Sequence, residues 1–242
     1  MTAIKIEELT KRYRDVVAVD RLSLCIEEGE LFSLLGVNGA GKTTTIKMLS
    51  CLTDATEGDA YLLGKNISKD TAEVKSFIAV SPQETAVASG LSVLENLELI
   101  CGIHGFDKSK RKTKTDELIS LLGLEGVVNR KAGKLSGGYQ RRLSIAMALI
   151  SEPKILFLDE PTLGLDVIVR SELWDIIRAL RSKATIILTT HYMEEAEELS
   201  DRIAIMKDGK LLVCDTADKI KELTGADTFE KAFISVVKGV SK

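Results

Sequence analysis

The sequence contains few residues of the kinds that build metal clusters, and it has no long apolar run. Its four cysteines show no CxxC spacing and are accompanied by only two histidines, which argues against a zinc cluster. We therefore expect reduced thiols in the cytosol. The opening residues, MTAIKIEELTK, are charged where a signal peptide is apolar, and no apolar run approaches the ~18 to 20 residues that span a bilayer. The chain is therefore not expected to cross a membrane by itself.

The sequence also lacks a large excess of charge of either sign. Its 33 basic and 36 acidic residues give a formal net charge of −3, which provides no overall attraction to nucleic acid or acidic lipid. One exception is the segment KSKRKTKT, whose residues 108–114 include five basic side chains. We interpret this run as the solvated start of a helix, with a binding patch as the alternative. The 45% of hydrophobic residues is enough for a sizeable core.

The hydrophobic periodicity changes twice along the chain. The first 90 residues indicate strands and then a strand followed by a helix, whereas apolar residues recur at helical spacing over 91–150. From 151 onward, strands such as KILFLDE alternate with helices such as VIVRSELWDIIRALRS, which predicts a parallel sheet covered by helices. We expect one domain over 1–242. In it, 1–90 and 151–220 form the core with a β subdomain, 91–150 form a helical subdomain, and 221–242 form a C-terminal tail.

The stretch GVNGAGKTTT, residues 36–45, matches the phosphate-binding pattern GxxxxGK[ST]. It lies between the apolar strand LFSLLG and a helix expected over 42–52. Glycines allow backbone N–H groups to wrap around a polyphosphate, and the helix N-terminus favours negative charge. We expect Lys42 to neutralise the β and γ phosphates and the Thr43 hydroxyl to bind Mg²⁺. The predicted nucleotide-binding residues of this loop are Gly36, Asn38, Gly39, Ala40, Gly41, Lys42, Thr43 and Thr44.

A second element, ILFLDE at residues 155–160, places two carboxylates at the end of a buried strand. Ligands of open α/β sheets bind at the carboxyl ends of the strands. We expect Asp159 to organise Mg²⁺ through its water shell, and Glu160 to act on the water that attacks the γ-phosphate of ATP.

The segment LSGGYQRR, residues 135–142, resembles the LSGGQ signature of the ATP-binding subunits of ABC transporters, and departs from it at Tyr139. Four other family marks occur along the chain in the order the family has them. Tyr13, Gln83 and His191 lie at the ends of predicted strands, and Asp166 lies in PTLGLD. The resemblance implies that Tyr13 stacks on adenine and that His191 contacts the γ-phosphate. It also implies that Gln83 links Mg²⁺ and the attacking water to the helical insert. Further implied nucleotide contacts are Ser136, Gly137, Gly138, Gln140 and Asp166.

The same resemblance implies an architecture and a mode of assembly. The implied fold is a P-loop NTPase core with a mostly parallel sheet, an N-terminal antiparallel β subdomain and an inserted helical subdomain. The Gly-Gly segment opens the helix YQRRLSIAMALI and is itself suited to an anion, but one nucleotide cannot easily use both sites of one chain. In the family two subunits pair head to tail, as homodimer or heterodimer, and each ATP lies between the phosphate loop of one and the signature of the other.

The C-terminal segment GADTFEKAFISVVKG resembles the tail of the branch that works with ABC-2-type permeases, which export drugs, antibiotics, lipids or polysaccharides. We therefore expect a separate integral membrane permease as partner and a location at the inner face of the cell membrane. The alternative for the tail is a short amphipathic helix that packs on its own domain. The alternative function is a soluble ABC ATPase that acts on nucleic acid or ribosomes, although no nucleic acid partner is expected. A small-molecule kinase would have no use for the signature.

Overall fold

The computed structural model describes residues 1–239, which form an α/β fold with one mixed sheet and one antiparallel sheet. The predicted tail over 221–242 therefore ends with three residues that lie outside the described part of the chain. The strands are β1 (Thr2–Tyr13), β2 (Val16–Glu27), β3 (Leu31–Gly36), β4 (Glu57–Leu62), β5 (Lys65–Asn66), β6 (Ile78–Ser81), β7 (Ile155–Asp159), β8 (Thr185–Thr190), β9 (Arg202–Lys207) and β10 (Lys210–Asp215). The helices are α1 (Lys42–Leu49), α2 (Thr71–Phe77), α3 (Val93–Ile103), α4 (Lys108–Leu121), α5 (Gly137–Leu149), α6 (Val167–Leu180), α7 (Met193–Leu199), α8 (Ala217–Thr224) and α9 (Phe229–Lys238).

The larger sheet has the order β10-β9-β3-β8-β7-β6, and only β10 runs antiparallel to its neighbour. Every residue of β3, β7 and β8 is buried, because helices or the second sheet cover both faces, as is usual for parallel strands. The smaller sheet, β2-β1-β4-β5, is antiparallel and alternates buried with exposed residues. The predicted combination of a mostly parallel core sheet and an antiparallel β portion is confirmed.

The core consists of three clusters of buried side chains. One joins a face of the large sheet to α3, α4, α5 and α6, and another fills the space between the large sheet, α1 and the small sheet. The third packs α9 against the far edge of the large sheet, where Phe229 and Phe233 meet Ile203 and Ile205. The tail helix thus packs on its own domain, as the alternative interpretation of the C-terminal segment proposed.

Several predicted boundaries are wrong. The apolar segment SFIAVSPQ, residues 76–83, predicts a strand, but β6 begins only at Ile78, because Ser76 and Phe77 end helix α2, which was not predicted. The segment YLLGKNI, residues 61–67, predicts one strand but forms part of a hairpin, since β4 and β5 pair across a turn with Gly64 at φ +79°. The helix expected over 42–52 ends at Leu49. In contrast, the interpretation of the basic run at 108–114 as the start of a helix is confirmed, because α4 begins at Lys108 and Asp107 caps it by accepting from the Lys110 N–H.

Candidate functional site

The loop between β3 and α1 has a backbone shape that requires glycine. Gly39 and Gly41 adopt φ of +81° and +100°, in the left-handed region that residues with a side chain rarely enter. A Cβ on Gly36 would lie 2.4 Å from the Met206 carbonyl oxygen, and one on Gly41 would lie 2.5 Å from that of Ala18. The glycines of the predicted phosphate loop therefore leave the backbone free of side chains where the loop leads into α1.

Lys42, the first residue of α1, folds its side chain back over this loop. Its ammonium donates to the carbonyl oxygens of Gly36 at 2.7 Å and Val37 at 3.3 Å. It also lies 3.2 Å from Glu160 Oε1, and both side chains are almost fully buried. A buried charge pair costs desolvation energy that hydrogen bonds must offset. The cation is therefore held by groups that an incoming anion is able to replace.

Two carboxylates lie at the end of β7, as expected, and Thr189 of β8 bonds the side chain of Asp159 and the backbone of Glu160. Asp159 Oδ1 accepts from the hydroxyls of Thr43 at 3.1 Å and of Thr189 at 2.6 Å. The Glu160 N–H donates to the Thr189 carbonyl at 3.1 Å and to its hydroxyl at 3.0 Å. This arrangement follows from the register of the parallel pair, in which Asp159 stands opposite Thr189. Thr189 was not predicted from the sequence, although a polar residue near the end of the buried strand in TIILTTH is a usable signal.

Glu160 has a strained backbone and a fixed side chain. Its φ of 48° is unusual for a residue other than glycine, and such strain is concentrated at functional sites. Glu160 Oε2 lies 2.6 Å from Nδ1 of the half-buried His191, which directly follows β8. The carboxylate is thus held between an ammonium and an imidazole.

A cavity of about 700 Å³ opens over the phosphate loop. Tyr13 lies at its edge with 46% of its surface exposed, and Gln83 reaches it from the segment after β6. The predicted residues that line it are Tyr13, Asn38, Gly39, Ala40, Gly41, Lys42, Thr43, Thr44, Gln83, Glu160 and His191. Gly36 and Asp159 lie beneath it through their contacts with Lys42 and Thr43. The structure therefore brings together in one chain the predicted catalytic residues and those of the phosphate loop.

The signature residues do not line this cavity. Ser136 and Gly137 are exposed at the start of α5, and the Ser136 side chain makes no capping bond within the described residues. Gly138 packs against α6, where a Cβ would come within 2.4 Å of Val169 Cγ1. The predicted contacts Ser136 and Gly137 thus lie on a second surface, separate from the cavity, whereas Gly138 is buried.

Gln140 and Asp166 have structural partners inside the chain. The Gln140 amide donates to the carbonyl oxygens of Ala132 at 3.1 Å and Leu135 at 3.2 Å, which ties α5 to the preceding turn. Asp166 caps α6, because its Oδ1 accepts from the N–H groups of Ile168 and Val169, each at 3.0 Å. Their proposed nucleotide contacts would come in addition to these bonds.

Arg141 is a site residue that the sequence analysis missed. Its buried guanidinium donates from Nη1 to the Pro82 carbonyl and from Nη2 to the Gln83 carbonyl, each at 2.7 Å. Burial lowers the pKa of Arg141, while the charges of Asp159 and Glu195 act in the opposite direction. The helix that begins with the signature is therefore bonded directly to the segment that carries Gln83.

The donors near Asp159 suit a hard cation. In the described part of the chain, no group of three or more His, Cys, Asp or Glu side chains is arranged to hold a metal ion. The oxygens of Thr43 and Asp159 are of the type that Mg²⁺ prefers, and Mg²⁺ usually completes its shell with water and phosphate oxygens. The residues present therefore fit an ion that arrives with a nucleotide. Among residues 1–239, none of the helices combines the length and apolarity needed to cross a bilayer.

Comparisons with known proteins agree with this geometry. The family model described as "ABC transporter" matches residues 19–163. The chain is 38% identical over 229 residues to the daunorubicin resistance ATP-binding protein DrrA2 of Streptomyces coeruleorubidus, a match that covers 94% of this chain and 71% of that protein. It is 36% identical over 242 residues to the probable multidrug ABC transporter ATP-binding protein YbhF of Escherichia coli, a match that covers 98% of this chain and 42% of that protein. It is 41% identical over 230 residues to the human phospholipid-transporting ATPase ABCA3, covering 93% of this chain but only 14% of that protein.

Two solved structures have closely similar folds. The ATP-binding subunit of an ABC transporter superposes with a TM-score of 0.85 over 97% of this chain and 99% of its own, at 24% identity. A dimeric ATP-binding cassette, in a post-hydrolysis state bound to ADP and Pi, superposes with a TM-score of 0.79 at 29% identity. The superposition covers 88% of this chain and 98% of that chain.

Proposed function

Because the chain belongs to the ABC transporter family and carries its ATPase domain, we propose that it binds and hydrolyses ATP to drive export through a separate membrane permease. The proposal on export is supported by relatives that are named for daunorubicin resistance and for multidrug transport. The packed tail helix α9 gives no independent support for the ABC-2 branch. The working location would be the inner face of the membrane, beside the permease.

The observation that carries this proposal is the phosphate loop with Lys42 folded over it. In the proposed complex, the phosphates of ATP displace the Gly36 and Val37 carbonyls and Glu160 from the Lys42 ammonium. The bare backbone of the loop supplies N–H donors, and the α1 N-terminus adds a favourable field. Tyr13, exposed at the cavity edge, stacks on adenine.

Hydrolysis in this proposal uses the carboxylate that Lys42 then releases. Glu160 accepts a proton from the attacking water while the water oxygen bonds to the γ-phosphorus and the bond to the ADP oxygen breaks. His191 holds Glu160 through Nδ1 and leaves Nε2 for the γ-phosphate. Thr43, Gln83 and Asp159 would hold Mg²⁺, which would offset the phosphate charge. Gln83 also orients the water.

We further propose that two copies of the domain, identical or different, pair head to tail across ATP. The exposed signature surface of Ser136 and Gly137 lies outside the cavity of its own chain, so it is available to a partner's nucleotide. Val167 and Ile168, at the start of α6, expose 75% and 72% of their surface, which suits a contact face. Residues 91–150 would move as a helical subdomain, with 1–90 and 151–220 as the core. The dimeric relative supports this assembly.

The alternative of a nucleic acid or ribosome partner loses its main support. Lys112 pairs with Asp116 at 2.7 Å. Lys114 is buried and lies 3.2 Å from Glu117 and 2.9 Å from Glu152. Part of the basic run is thus neutralised inside the chain, so its positive charge is a weak basis for binding phosphate backbones.

Co-purification tests the proposed partner. The chain would be affinity-tagged in its own host, membranes would be solubilised in mild detergent, and captured proteins would be identified by mass spectrometry against an untagged strain. We expect an integral membrane protein in stoichiometric amount. Capture of ribosomes or DNA without a membrane protein would contradict the proposal.

A further inference from the structure

The carboxyl group of Glu195 is buried near the proposed catalytic pair, Glu160 and His191, and takes no part in the proposed hydrolysis. Glu195 lies in α7, which follows His191 in the chain, and it has no solvent exposure. Its Oε1 accepts a hydrogen bond from Trp174 Nε1 at 3.0 Å. Within the described residues, neither Glu195 Oε2 nor the buried hydroxyl of Thr162 has a hydrogen-bond partner. Such a group requires an explanation, because buried polar atoms are nearly always satisfied.

The surroundings of this carboxyl disfavour a negative charge. An ionised carboxylate away from water is costly unless a cation pairs with it, and no Lys, Arg or His side chain forms an ion pair with Glu195 among residues 1–239. Burial raises the pKa of Glu195, against the opposing effects of the hydrogen bond from the Trp174 indole and of the nearby Thr190 and Thr162 hydroxyls, which make no hydrogen bond to the carboxyl in this structure. The charge of Glu160 raises the pKa of Glu195 further, whereas the buried cation of Arg141, on α5, acts in the opposite direction.

The groups around Glu195 belong to the segments that hold the proposed catalytic residues. Thr190 ends β8 and directly precedes His191, and Thr162 lies in the loop that follows Glu160. Trp174 lies on α6, the helix that Asp166 caps. One carboxyl group therefore contacts or adjoins all three segments.

We propose that Glu195 is a positioning residue that works as a neutral carboxylic acid and keeps Glu160 and His191 in contact. The proposal rests on the ATPase function proposed above. As a neutral acid, Glu195 accepts from Trp174 through one oxygen and donates its proton from the other to a neighbouring threonine hydroxyl. As a carboxylate it is only an acceptor, and it adds a second buried negative charge near Glu160.

Three substitutions separate the neutral acid from the carboxylate. Glu195→Gln has the shape and hydrogen-bonding capacity of the neutral acid, whereas Glu195→Ala removes both. The control is Glu194→Gln on the adjacent residue, whose side chain is 72% exposed and lies 3.9 Å from Arg170. We expect Glu195→Gln to keep kcat for ATP within about twofold and Glu195→Ala to lose about tenfold or more, with KM nearly constant because the phosphate loop is untouched. Glu194→Gln should match the wild type.

The pH dependence of stability provides a readout that needs no ATPase activity. A carboxyl whose pKa is raised on folding stabilises the protein fully below its unfolded pKa, and this contribution is lost as pH rises through the folded pKa. Over that window the unfolding constant of the wild type, divided by that of Glu195→Gln, should rise by up to about tenfold per pH unit. Glu194→Gln should stay parallel to the wild type. Urea unfolding from about pH 5 to about pH 8 measures these ratios.

Each result decides one claim. A Glu195→Gln variant as slow as Glu195→Ala, a Glu195→Ala variant with full turnover, or a flat wild-type to Glu195→Gln ratio would overturn the role of Glu195. If Glu195→Ala does not fold, Trp174→Phe replaces it, since it removes only the N–H donor to Oε1, and it should also lower kcat. A wild type without ATP turnover would instead refute the proposed function, while the urea experiment would still report whether Glu195 is neutral.

Discussion

Removing the Arg141 guanidinium should weaken both the fold and ATP turnover, because this group joins the signature helix to the Gln83 segment. Arg141→Ala deletes the two donors that reach the carbonyl oxygens of Pro82 and Gln83, each at 2.7 Å. Nucleotide binding itself should change little, since Arg141 contacts neither the phosphate loop nor Lys42. Arg141→Ala thus tests the link between the signature helix and the Gln83 segment separately from nucleotide binding by the phosphate loop.

The expected size of the effect follows from the exposure of the two carbonyls. An unsatisfied buried carbonyl costs about 1 to 3 kcal/mol, and the lower figure applies here because Pro82 is half-buried and Gln83 is exposed to water. Against this, the guanidinium is buried and therefore desolvated, which also lowers the pKa of Arg141, and its removal relieves part of that cost. We expect Arg141→Ala to lower the free energy of unfolding by about 1 to 2 kcal/mol.

The assay compares Arg141→Ala with Arg141→Lys and Arg142→Ala. Lysine keeps the charge and can donate to one carbonyl, although it lacks the fork that serves both. Arg141→Lys should therefore lose less stability than Arg141→Ala. Arg142 pairs with the exposed Glu172, a contact worth about 0 to 1 kcal/mol, and its variant should keep turnover. Urea unfolding gives the stabilities, and ATP titrations give kcat and KM. An Arg141→Ala protein with wild-type stability and wild-type kcat would refute the reasoning.

Two further predictions concern the phosphate loop and the signature. Lys42→Ala should weaken ATP binding, because the backbone N–H groups alone hold a polyphosphate less well than they do with the ammonium. An unchanged affinity for ATP in a nucleotide titration would contradict the proposed binding of the phosphates by Lys42. Ser136→Arg should leave ATP binding to the monomer intact yet abolish turnover, since the signature is proposed to act on the partner's nucleotide. Mixing the Ser136→Arg and Lys42→Ala proteins should then restore one competent site of two, and an absence of recovery would count against sharing between subunits.

The local part of the site was predictable from sequence because its chemistry lies in short segments. The phosphate loop, with its glycines and Lys42, is continuous in the chain, and Asp159 and Glu160 directly follow an apolar run. Helical spacing over 91–150 likewise predicted α3, α4 and α5. Helix α2 was missed because only Val74 of its seven residues is buried, so it carries almost no apolar periodicity.

The supporting residues were not predictable because their partners are distant in the chain. Arg141 bonds a carbonyl 58 positions away, and Thr189 reaches Asp159 across 30. These contacts depend on strand register and on how α5 packs, neither of which a single sequence specifies. Glu195 lies in MEEAEEL, where all four glutamates read alike and only the fold shows which one is buried.

Size-exclusion chromatography of Glu160→Gln with ATP tests the central claim most directly. The substitution keeps a hydrogen bond to the attacking water but removes the charge that takes its proton, so hydrolysis should be slower by ~10² to 10⁴. If ATP joins two copies and hydrolysis separates them, Glu160→Gln should elute as an ATP-bound dimer, while wild type with Mg²⁺ returns to monomer. A Glu160→Gln protein that hydrolyses ATP at the wild-type rate, or that binds ATP tightly and stays monomeric, would contradict the account.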